Sequence, residues 1–212
     1  MKTPVPPPAS PISRSVSQVA PDVTALKALA HPVRLRMLGM LRIDGPATAT
    51  QLATRLGLNS GATSYHLRQL AQYGFIEDAP GPSRRDRRWR ACHELTSIRP
   101  AETEGEAFDM DVAFAQAILS QQVSQMQKAA EEYAELPLEW RKASTASDII
   151  IPLTSEKAEA LTKRLNDILL EAMSEAPPLG EPLPPATVPF TIMLHAFPYP
   201  GRLPHDEDEN EP

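Results

Sequence analysis

Apolar residues recur at helical spacing through the first half of the chain, and the interruptions between them separate several short helices. A three- and four-residue spacing predicts a first helix, and Pro32 stands where a second, roughly 32–43, could begin. Thr48 and Gln51 have capping-box spacing and predict a third helix that stops at Gly57. The apolar positions of these three helices are Val23, Leu26, Leu29, Ala30, Val33, Leu35, Leu38, Leu41, Leu52 and Leu56.

A fourth helix is predicted from about Ser60 to Tyr73, and its two faces differ in character. One face carries Thr63, Leu67 and Leu70, which fall within about 60° of one another at 3.6 residues per turn. We expect that stripe to pack inward. The opposite face is polar and consists of Gly61, Tyr65, Arg68, Gln69 and Gln72.

The segment after this helix alternates as a hairpin does. The stretch FIEDA predicts one strand, PGPSRRD a turn, and RRWRACHEL a returning strand. Side chains alternate across a strand, so Trp89 and Ala91 share one face and Arg88 and Arg90 the other. We expect Trp89 to anchor the hairpin on the core, with a basic tip beyond it.

A long helical pattern covers residues 106–136, with apolar positions alternately three and four residues apart. Its stripe is too narrow to be buried by this chain alone, so we predict a dimerisation helix; packing on the preceding helices is the alternative. The seam consists of Phe108, Val112, Ala115, Leu119, Gln122, Met126, Ala130 and Tyr133.

Residues 145–198 predict a strand, a helix and a second strand, although Pro189 marks that last strand as an edge. We expect this unit to support the dimer, or to form a pocket for a small-molecule effector against the dimer helix. The expected fold class is mainly α with some β: an N-terminal domain of four helices and a hairpin over residues 22–98, the dimer helix, and this β-α-β unit.

Charge is sorted along the chain. Residues 22–93 hold 11 Lys and Arg against 5 Asp and Glu, while residues 94–212 hold 8 against 22. A basic segment in an acidic chain is typical of a polyanion-binding surface, and double-stranded DNA is the first candidate. The Pro- and Ser-rich leader, 1–21, and the acidic tail, 199–212, are expected to be disordered.

The fourth helix and the hairpin have the chemistry that duplex recognition needs. Small residues at the start of a helix let its backbone approach a groove, and guanidinium and amide groups can bond base edges. Arginines on the hairpin would hold phosphates or enter the minor groove. The residues expected to bind DNA are Ser60, Gly61, Ser64, Tyr65, Arg68, Gln69, Arg84, Arg85, Arg87 and Arg88. His66 lies at the edge of the inward stripe, as a packed or capping residue or as a DNA contact.

Three stretches together resemble the winged helix-turn-helix of the arsenic-repressor (ArsR) family of bacterial transcription regulators. They are ALAHPVRLRMLGML, TATQLATRLGLNSGATSYHLRQLAQYGFIED and RRDRRWRA, and the resemblance covers about residues 22–95. It implies a homodimer on a roughly palindromic operator, with each recognition helix in a major groove. It also implies a regulator, most often a repressor, in the cytoplasm.

The sequence departs from the metal-sensing members that it resembles. The helix before the recognition helix has no Cys-x-Cys pair, and the dimer helix offers Asp109 and Asp111 without a histidine. Cys92 and His93 are adjacent on a strand and point to opposite faces. We therefore expect no metal site and no cofactor. The single cysteine and the absence of a long apolar run favour a reducing compartment with no membrane span.

The sequence contains no set of residues with catalytic spacing, so an enzyme is not expected. The alternative function is a winged-helix module for protein association without specific DNA binding, with the long helix and the C-terminal unit as its working surface. The acidic tail could also fold back on the basic hairpin and compete with DNA.

Overall fold

The computed structural model describes residues 13–81, 86–97 and 105–203. Its regular elements are, in chain order, β1 (Gln18–Val19), α1 (Val23–Leu29), α2 (Pro32–Asp44), β2 (Ala47–Thr48), α3 (Ala49–Leu56), α4 (Ser60–Gln72), β3 (Ile76–Ala79), β4 (Arg88–Ala91), β5 (Leu95–Thr96), α5 (Glu106–Glu132), a 3-10 turn (Tyr133–Glu135), α6 (Leu138–Ala143) and α7 (Ser155–Glu175).

The starts of the N-terminal helices are set by side chains that satisfy free backbone N–H groups. Asp22 accepts from Ala25 N at 2.8 Å and begins α1. The predicted capping box of α3 is confirmed: Thr48 N donates to Gln51 Oε1 at 2.8 Å, and Gln51 N donates to Thr48 Oγ1 at 3.2 Å. Asn59 caps α4 by accepting from Ala62 N at 2.8 Å. Local chemistry therefore decides where these helices begin.

The hydrophobic core lies where α1 to α4 meet the hairpin and the first half of α5. Leu29, Met37, Leu52 and Leu67 are completely buried there, together with Phe114 of α5. The other core members are Ala25, Leu26, Ala28, Leu38, Leu41, Leu70, Phe75, Ile76 and Trp89. The apolar stripes predicted for the first four helices thus converge on one centre, as helices with a single apolar face require.

The predicted hairpin forms and is extended by a third strand. β3 and β4 are antiparallel, with Ile76 opposite Ala91 and Asp78 opposite Trp89, and β2 pairs on the other side of β4. Trp89 is buried, which confirms it as the anchor of the hairpin. Arg42 of α2 holds the strand exit by donating to His93 O and Thr96 Oγ1, both at 2.8 Å. Burial lowers the pKa of Arg42 to about 10.

The end of the leader is ordered, which corrects the prediction of disorder through residue 21. β1 pairs in parallel with β5, with Gln18 opposite Leu95 and Val19 opposite Thr96. Ser17 O accepts from Leu95 N at 3.2 Å, and Val19 O accepts from Ser97 N at 2.9 Å. Backbone pairing with a distant strand supplies the stability that the composition of the leader lacks. Residues 1–12 of the leader and 204–212 of the acidic tail lie outside the described part.

Helix α5 packs against α1 and α2 through one face only. Phe114 is completely buried on that face and Ile118 packs partly against the core. The helix begins at Glu106 as predicted, and its last turn tightens into the 3-10 turn at Tyr133. Packing on the preceding helices, the alternative that the sequence offered, is therefore observed for one face, while another face is left uncovered by the described residues; the dimerisation helix stays a prediction.

The C-terminal unit contains its predicted helix but neither of its predicted strands. Residues 144–154 and 181–199 have no strand pairing, so the strand-helix-strand arrangement is wrong. Proline removes a ladder donor at positions 152 and 189, and two strands flanking one helix would have no further strand or packed layer to support them. Apolar side chains in both segments are exposed, including Ile149, Ile150, Val188, Phe190 and Ile192.

None of the helices within the described ranges 13–81, 86–97 and 105–203 combines the length and the apolar character needed to cross a bilayer.

Candidate nucleic-acid interface

Helix α4 is held in place by the residues of its predicted inward stripe. Thr63, Leu67 and Leu70 are completely buried. The hydroxyl of Thr63 donates to Asn59 O at 3.0 Å, so that burial leaves its polar group satisfied. The stripe therefore fixes which side of the helix faces outward.

The outward face of α4 is not covered by the described part of the chain. Tyr65 is 55% exposed. Ser60, Gly61 and Arg68 are exposed as well, while Ser64 and Gln69 are half-buried at the edge of the face. Six residues predicted to contact DNA are thus brought together on one helix, with room for a partner outside them. Within the described residues, Arg68 takes part in no ion pair, so its guanidinium is available.

Helix α4 contacts the turn between α1 and α2 through a pair of histidines, His66 in the middle of α4 and His31 at the start of α2. The rings of His31 and His66 lie 4.6 Å apart between centroids. The Nδ1 atom of His31 accepts from Val33 N at 3.2 Å and caps α2, which requires a neutral ring. Burial lowers the pKa of both histidines, and nearby Arg34 lowers both further. For His66 this geometry favours the packed alternative.

Arg87 of the hairpin is paired within the chain. Its Nε and Nη2 atoms donate to the two carboxylate oxygens of Asp78, at 2.5 and 2.9 Å. The same guanidinium lies over the ring of Trp89, 4.2 Å from the centroid. The hydrogen bond from Arg87 lowers the pKa of Asp78. The planar guanidinium of Arg87 is therefore held along the hairpin by Asp78 and Trp89 and does not project freely outward.

The neighbouring arginines are also engaged. Arg90 pairs with Glu77, its cross-strand neighbour, with Nη2 and Oε1 2.7 Å apart. Arg88 is half-buried, and its Nη1 lies 3.5 Å from Pro46 O. Arg84 and Arg85 lie outside the described residues. Of the basic hairpin predicted to hold phosphates, the described part is therefore largely neutralised by its own carboxylates.

Glu77 and Asp78 were not identified from the sequence as partners of these arginines, although a signal was present. FIEDA and RRWRA form one hairpin, and an antiparallel register places acids of the first strand beside arginines of the second. Assigning that register would have predicted the ion pairs.

Other parts of the described structure offer little to a metal or a small ligand. In residues 13–81, 86–97 and 105–203, no three His, Cys, Asp or Glu side chains are grouped so that they could hold a metal ion. A cleft of about 460 Å³ lies between α2 and α3 and includes Asp44, Gln51 and Arg55. Its two charged residues pair with each other at 2.8 Å. Their charges are thus already paired with each other and offer little to a charged ligand.

The predicted seam of α5 is on the outer face of that helix. Phe108, Leu119, Met126 and Tyr133 are each about half exposed, and Val112 is 40% exposed. Ala115 is exposed on the same side. Gln122, at the edge of the seam, is half-buried, and its Oε1 atom is buried without a hydrogen-bond partner among the described residues. This stripe is the candidate surface for a second copy.

Comparison with known proteins places the class of the N-terminal domain. Residues 29–79 match the helix-turn-helix domain family. The transcriptional regulator NmtR of Mycobacterium tuberculosis, an HTH-type regulator, is 40% identical over 70 residues. That alignment covers 32% of this chain and 55% of NmtR, so the chain spans about half the length of that relative.

Two solved structures are similar to parts of the chain. The homodimeric winged helix-turn-helix DNA-binding domain of Mb0332 from Mycobacterium bovis, a possible ArsR-family transcriptional regulator, is 26% identical. The match covers 49% of this chain and 78% of that one, with a TM-score of 0.32. Wild-type MarR of E. coli in its apo form is 15% identical over 69% of this chain and 89% of its own, with a TM-score of 0.29.

Residues 29–79 thus have the character of a helix-turn-helix domain, and the wing formed by β2, β3 and β4 completes it. The resemblance to ArsR-like winged helix-turn-helix regulators that the sequence indicated is confirmed.

Proposed function

We propose that this protein is a sequence-specific DNA-binding transcription regulator, a repressor that acts as a homodimer. One observation carries the proposal: the polar face of α4 is left uncovered by the described part of the chain, and its opposite face is fixed in the core. A buried outward face would have left no space for a duplex. In this proposal Arg68 and Gln69 bond base edges in the major groove, and Ser60 and Gly61 allow the helix start to approach.

The wing has a narrower role in this proposal than the sequence indicated. Arg84 and Arg85, at the predicted hairpin tip, contact phosphates or the minor groove, and Arg87 and Arg88 chiefly shape the strand that presents them. Tyr65 and Ser64 of α4 contact the sugar-phosphate backbone of the DNA. The pairing of Arg87 with Asp78 supports this division of roles.

The homodimer is proposed on the exposed stripe of α5. A half-exposed apolar seam on a 27-residue helix costs solvation free energy unless a partner covers it. A two-fold dimer would present two α4 helices to one duplex, which suits a roughly palindromic operator. A cytoplasmic location is part of this proposal. An effector could act through the C-terminal unit, which would shift the relative positions of the two copies.

A second candidate function is protein association without specific DNA binding. It is favoured by the internal neutralisation of Arg87 and Arg90 and by the exposed apolar side chains near the C-terminus. In that case the protein-binding surface is α5 with the C-terminal unit, and α4 has only a structural role.

Selection of bound fragments from random DNA, followed by anisotropy titration, tests the first function. A two-fold symmetric consensus is expected, with affinity falling about 10³- to 10⁵-fold between 50 and 200 mM salt if six to ten phosphates are contacted. Arg68→Ala should weaken binding and relax the preference at one base position, while Arg141→Ala, on exposed α6, should do neither. Enrichment of no sequence, with a flat salt response, would leave the association module as the better account.

The charge reversal of Arg84 and Arg85, the two wing arginines that the proposal places on DNA, to glutamate separates the two functions. DNA binding should be lost under the first, whereas self-association measured by sedimentation should survive. Repression is tested by placing the selected operator upstream of a reporter, where expression should rise when the protein is removed.

A further inference from the structure

The chain after α7 leaves a long apolar segment on the surface. We define the C-terminal arm as residues 182–203. Regular structure is absent from the arm, whose described backbone hydrogen bonds are the local ones from Thr187 N to Pro184 O and from Arg202 N to Tyr199 O. Its apolar side chains are strongly exposed, with Phe190 at 53%, Ile192 at 60% and Phe197 at 71%. A run of exposed apolar side chains of this kind is typical of an interaction site.

The composition of the arm indicates how it would dock. It contains six prolines, which supply no N–H donor and hold the backbone extended. Addition as a sheet strand is therefore disfavoured, whereas docking through side chains costs little ordering entropy. The arm should lie in a groove as an extended, side-chain-anchored segment.

Charge identifies the surface that the arm fits. Residues 182–201 contain no Asp, Glu, Lys or Arg, in a chain that is 23% charged. Residues 112–127 of α5 contain none either, although many of them are exposed. Helix α7 presents Glu156, Lys163 and Asp167 to solvent and so is a poor match. The two uncharged runs can therefore pack together without burying an unpaired charge.

The seam of α5 has an exposed, uncharged flank that its own partner helix would not cover. Val123 projects about 40° from Leu119 around the helix axis, and Gln116, Gln127 and Ser120 lie progressively farther round on the same side. A helix pair through the seam leaves this flank in solvent. The eight seam positions are also few beside the roughly 20 to 30 residues a side of a stable interface.

The arm is anchored at its ninth residue, Phe190, beside α6. The rings of Trp140 and Phe190 stack with centroids 6.4 Å apart, which ties the arm to α6, and α6 follows α5 after five residues. The 13 residues after Phe190 reach about 43 Å when extended, and 27 helical residues span about 40 Å. The arm is therefore long enough to follow an α5 helix along its length.

We propose that the C-terminal arm packs on the second copy of this chain, along the uncharged flank of the partner's α5 beside the seam. The inference rests on the homodimer proposed above and extends it: each copy contributes its α5 seam and receives the arm of the other. The dimer interface is then complete only when both arms are present.

Sedimentation equilibrium of the full chain tests the arm. The triple variant Val188→Ser, Phe190→Ser, Ile192→Ser should raise the dimer dissociation constant at least tenfold without changing helix content. The matched control, Ile149→Ser, Ile150→Ser, Ile151→Ser, removes three apolar side chains that are as a set more exposed, from the other unpaired segment, and should leave the dissociation constant nearly unchanged. No change in the first variant, or equal weakening in both, would overturn the proposal.

Cross-linking shows which copy receives the arm, even if the triple variant folds poorly. With Cys92→Ser in both, a chain carrying Ile192→Cys is mixed with a chain carrying Val123→Cys and treated with a bismaleimide. Covalent heterodimers support the proposal. Their absence, or cross-linking within one chain that carries both cysteines, would refute it.

Leu119→Glu distinguishes failure of the arm from failure of the dimer. If that variant is monomeric while the arm variants remain dimeric, only the arm proposal is wrong. If the unaltered protein is monomeric, or Leu119→Glu stays dimeric, the α5 homodimer itself fails and the arm inference fails with it.

Discussion

Arg14 and Glu94 form an ion pair, 2.8 Å between Nη1 and Oε2, that joins the N-terminal segment to the end of the wing. The same arginine donates from Nε to Ala176 O at 2.9 Å, and its backbone N–H donates to Ser174 O at 3.0 Å. Burial opposes the ionisation of Glu94, yet hydrogen bonds from Arg14 and Ser17 outweigh it and lower the pKa of Glu94. One residue thus connects the leader, the wing and the end of α7.

Arg14→Ala should loosen all three segments. We expect a loss of about 1 kcal/mol in the free energy of unfolding, since the pair is mostly buried and the carbonyl bond from its side chain is lost with it. Hydrogen exchange should accelerate at the amides of Leu95 and Ser97, which donate to the leader. Arg141→Ala, on an exposed helix, is the control. Unchanged exchange at β5 would show that Arg14 does not hold the leader.

The histidine pair predicts a stability that depends on pH. Burial and Arg34 lower the folded-state pKa of His31 and His66 below the ordinary value of 6.5. The unfolded chain therefore binds protons more readily, so stability is complete above about pH 6.5 and declines as the pH falls through the folded-state values. Urea unfolding at pH 7.5 and at pH 5.5 measures this.

Replacing both histidines checks the cause. The double variant His31→Asn, His66→Gln should show a smaller loss between these two pH values, whereas His195→Gln, in the exposed arm, should keep the full loss. Identical pH dependence in all three proteins would contradict the assignment.

Freeing Arg87 should change how the proposed regulator responds to salt. Asp78→Asn removes a carboxylate that binds the guanidinium at 2.5 Å. If Arg87 then reaches a phosphate, the slope of log K against log salt should steepen by about 0.9. Asp167→Asn removes the partner of Lys163 on α7 and serves as the control. A steeper slope in both variants would indicate a general charge effect.

The capping box of α3 should make a measurable contribution to the free energy of unfolding. Thr48→Ala removes the acceptor for Gln51 N, and such a loss typically costs about 1 kcal/mol. Gln51→Ala removes the reciprocal bond, and the double variant should lose less than the sum of the single variants because each bond orients the other. Thermal unfolding measures all three. Full additivity would mean that the two bonds act independently.

The first four helices could be predicted because their information is local. Asp22, Thr48 and Asn59 act on N–H groups within three residues, and the stripe on α4 repeats at the spacing of the helix itself. Which face of α4 lies outward followed from that periodicity. Candidate residues on this helix were identified for the same reason, whereas their role on DNA remains a proposal.

For the wing, the sequence predicted the buried side of the strand but not the ion pairs of its arginines. Alternation along the strand placed Trp89 inward, but charge counting treated the arginines as free cations. Whether Arg87 and Arg90 are available depends on the register with Asp78 and Glu77. The C-terminal strands failed for a related reason: β-branched residues favour extended chain, but a strand exists only where a neighbour accepts its hydrogen bonds.

The sequence by itself determined the helix starts, the inward stripe of α4, the buried tryptophan of the wing and the half-covered seam of α5. Only the tertiary structure decided that the leader pairs with β5, that Arg14 joins segments 80 and about 160 residues away, and that the wing neutralises much of its own charge. Periodicity and capping act over a few residues of one chain segment. Ion pairs and strand pairing depend on which distant segments the packed core brings together.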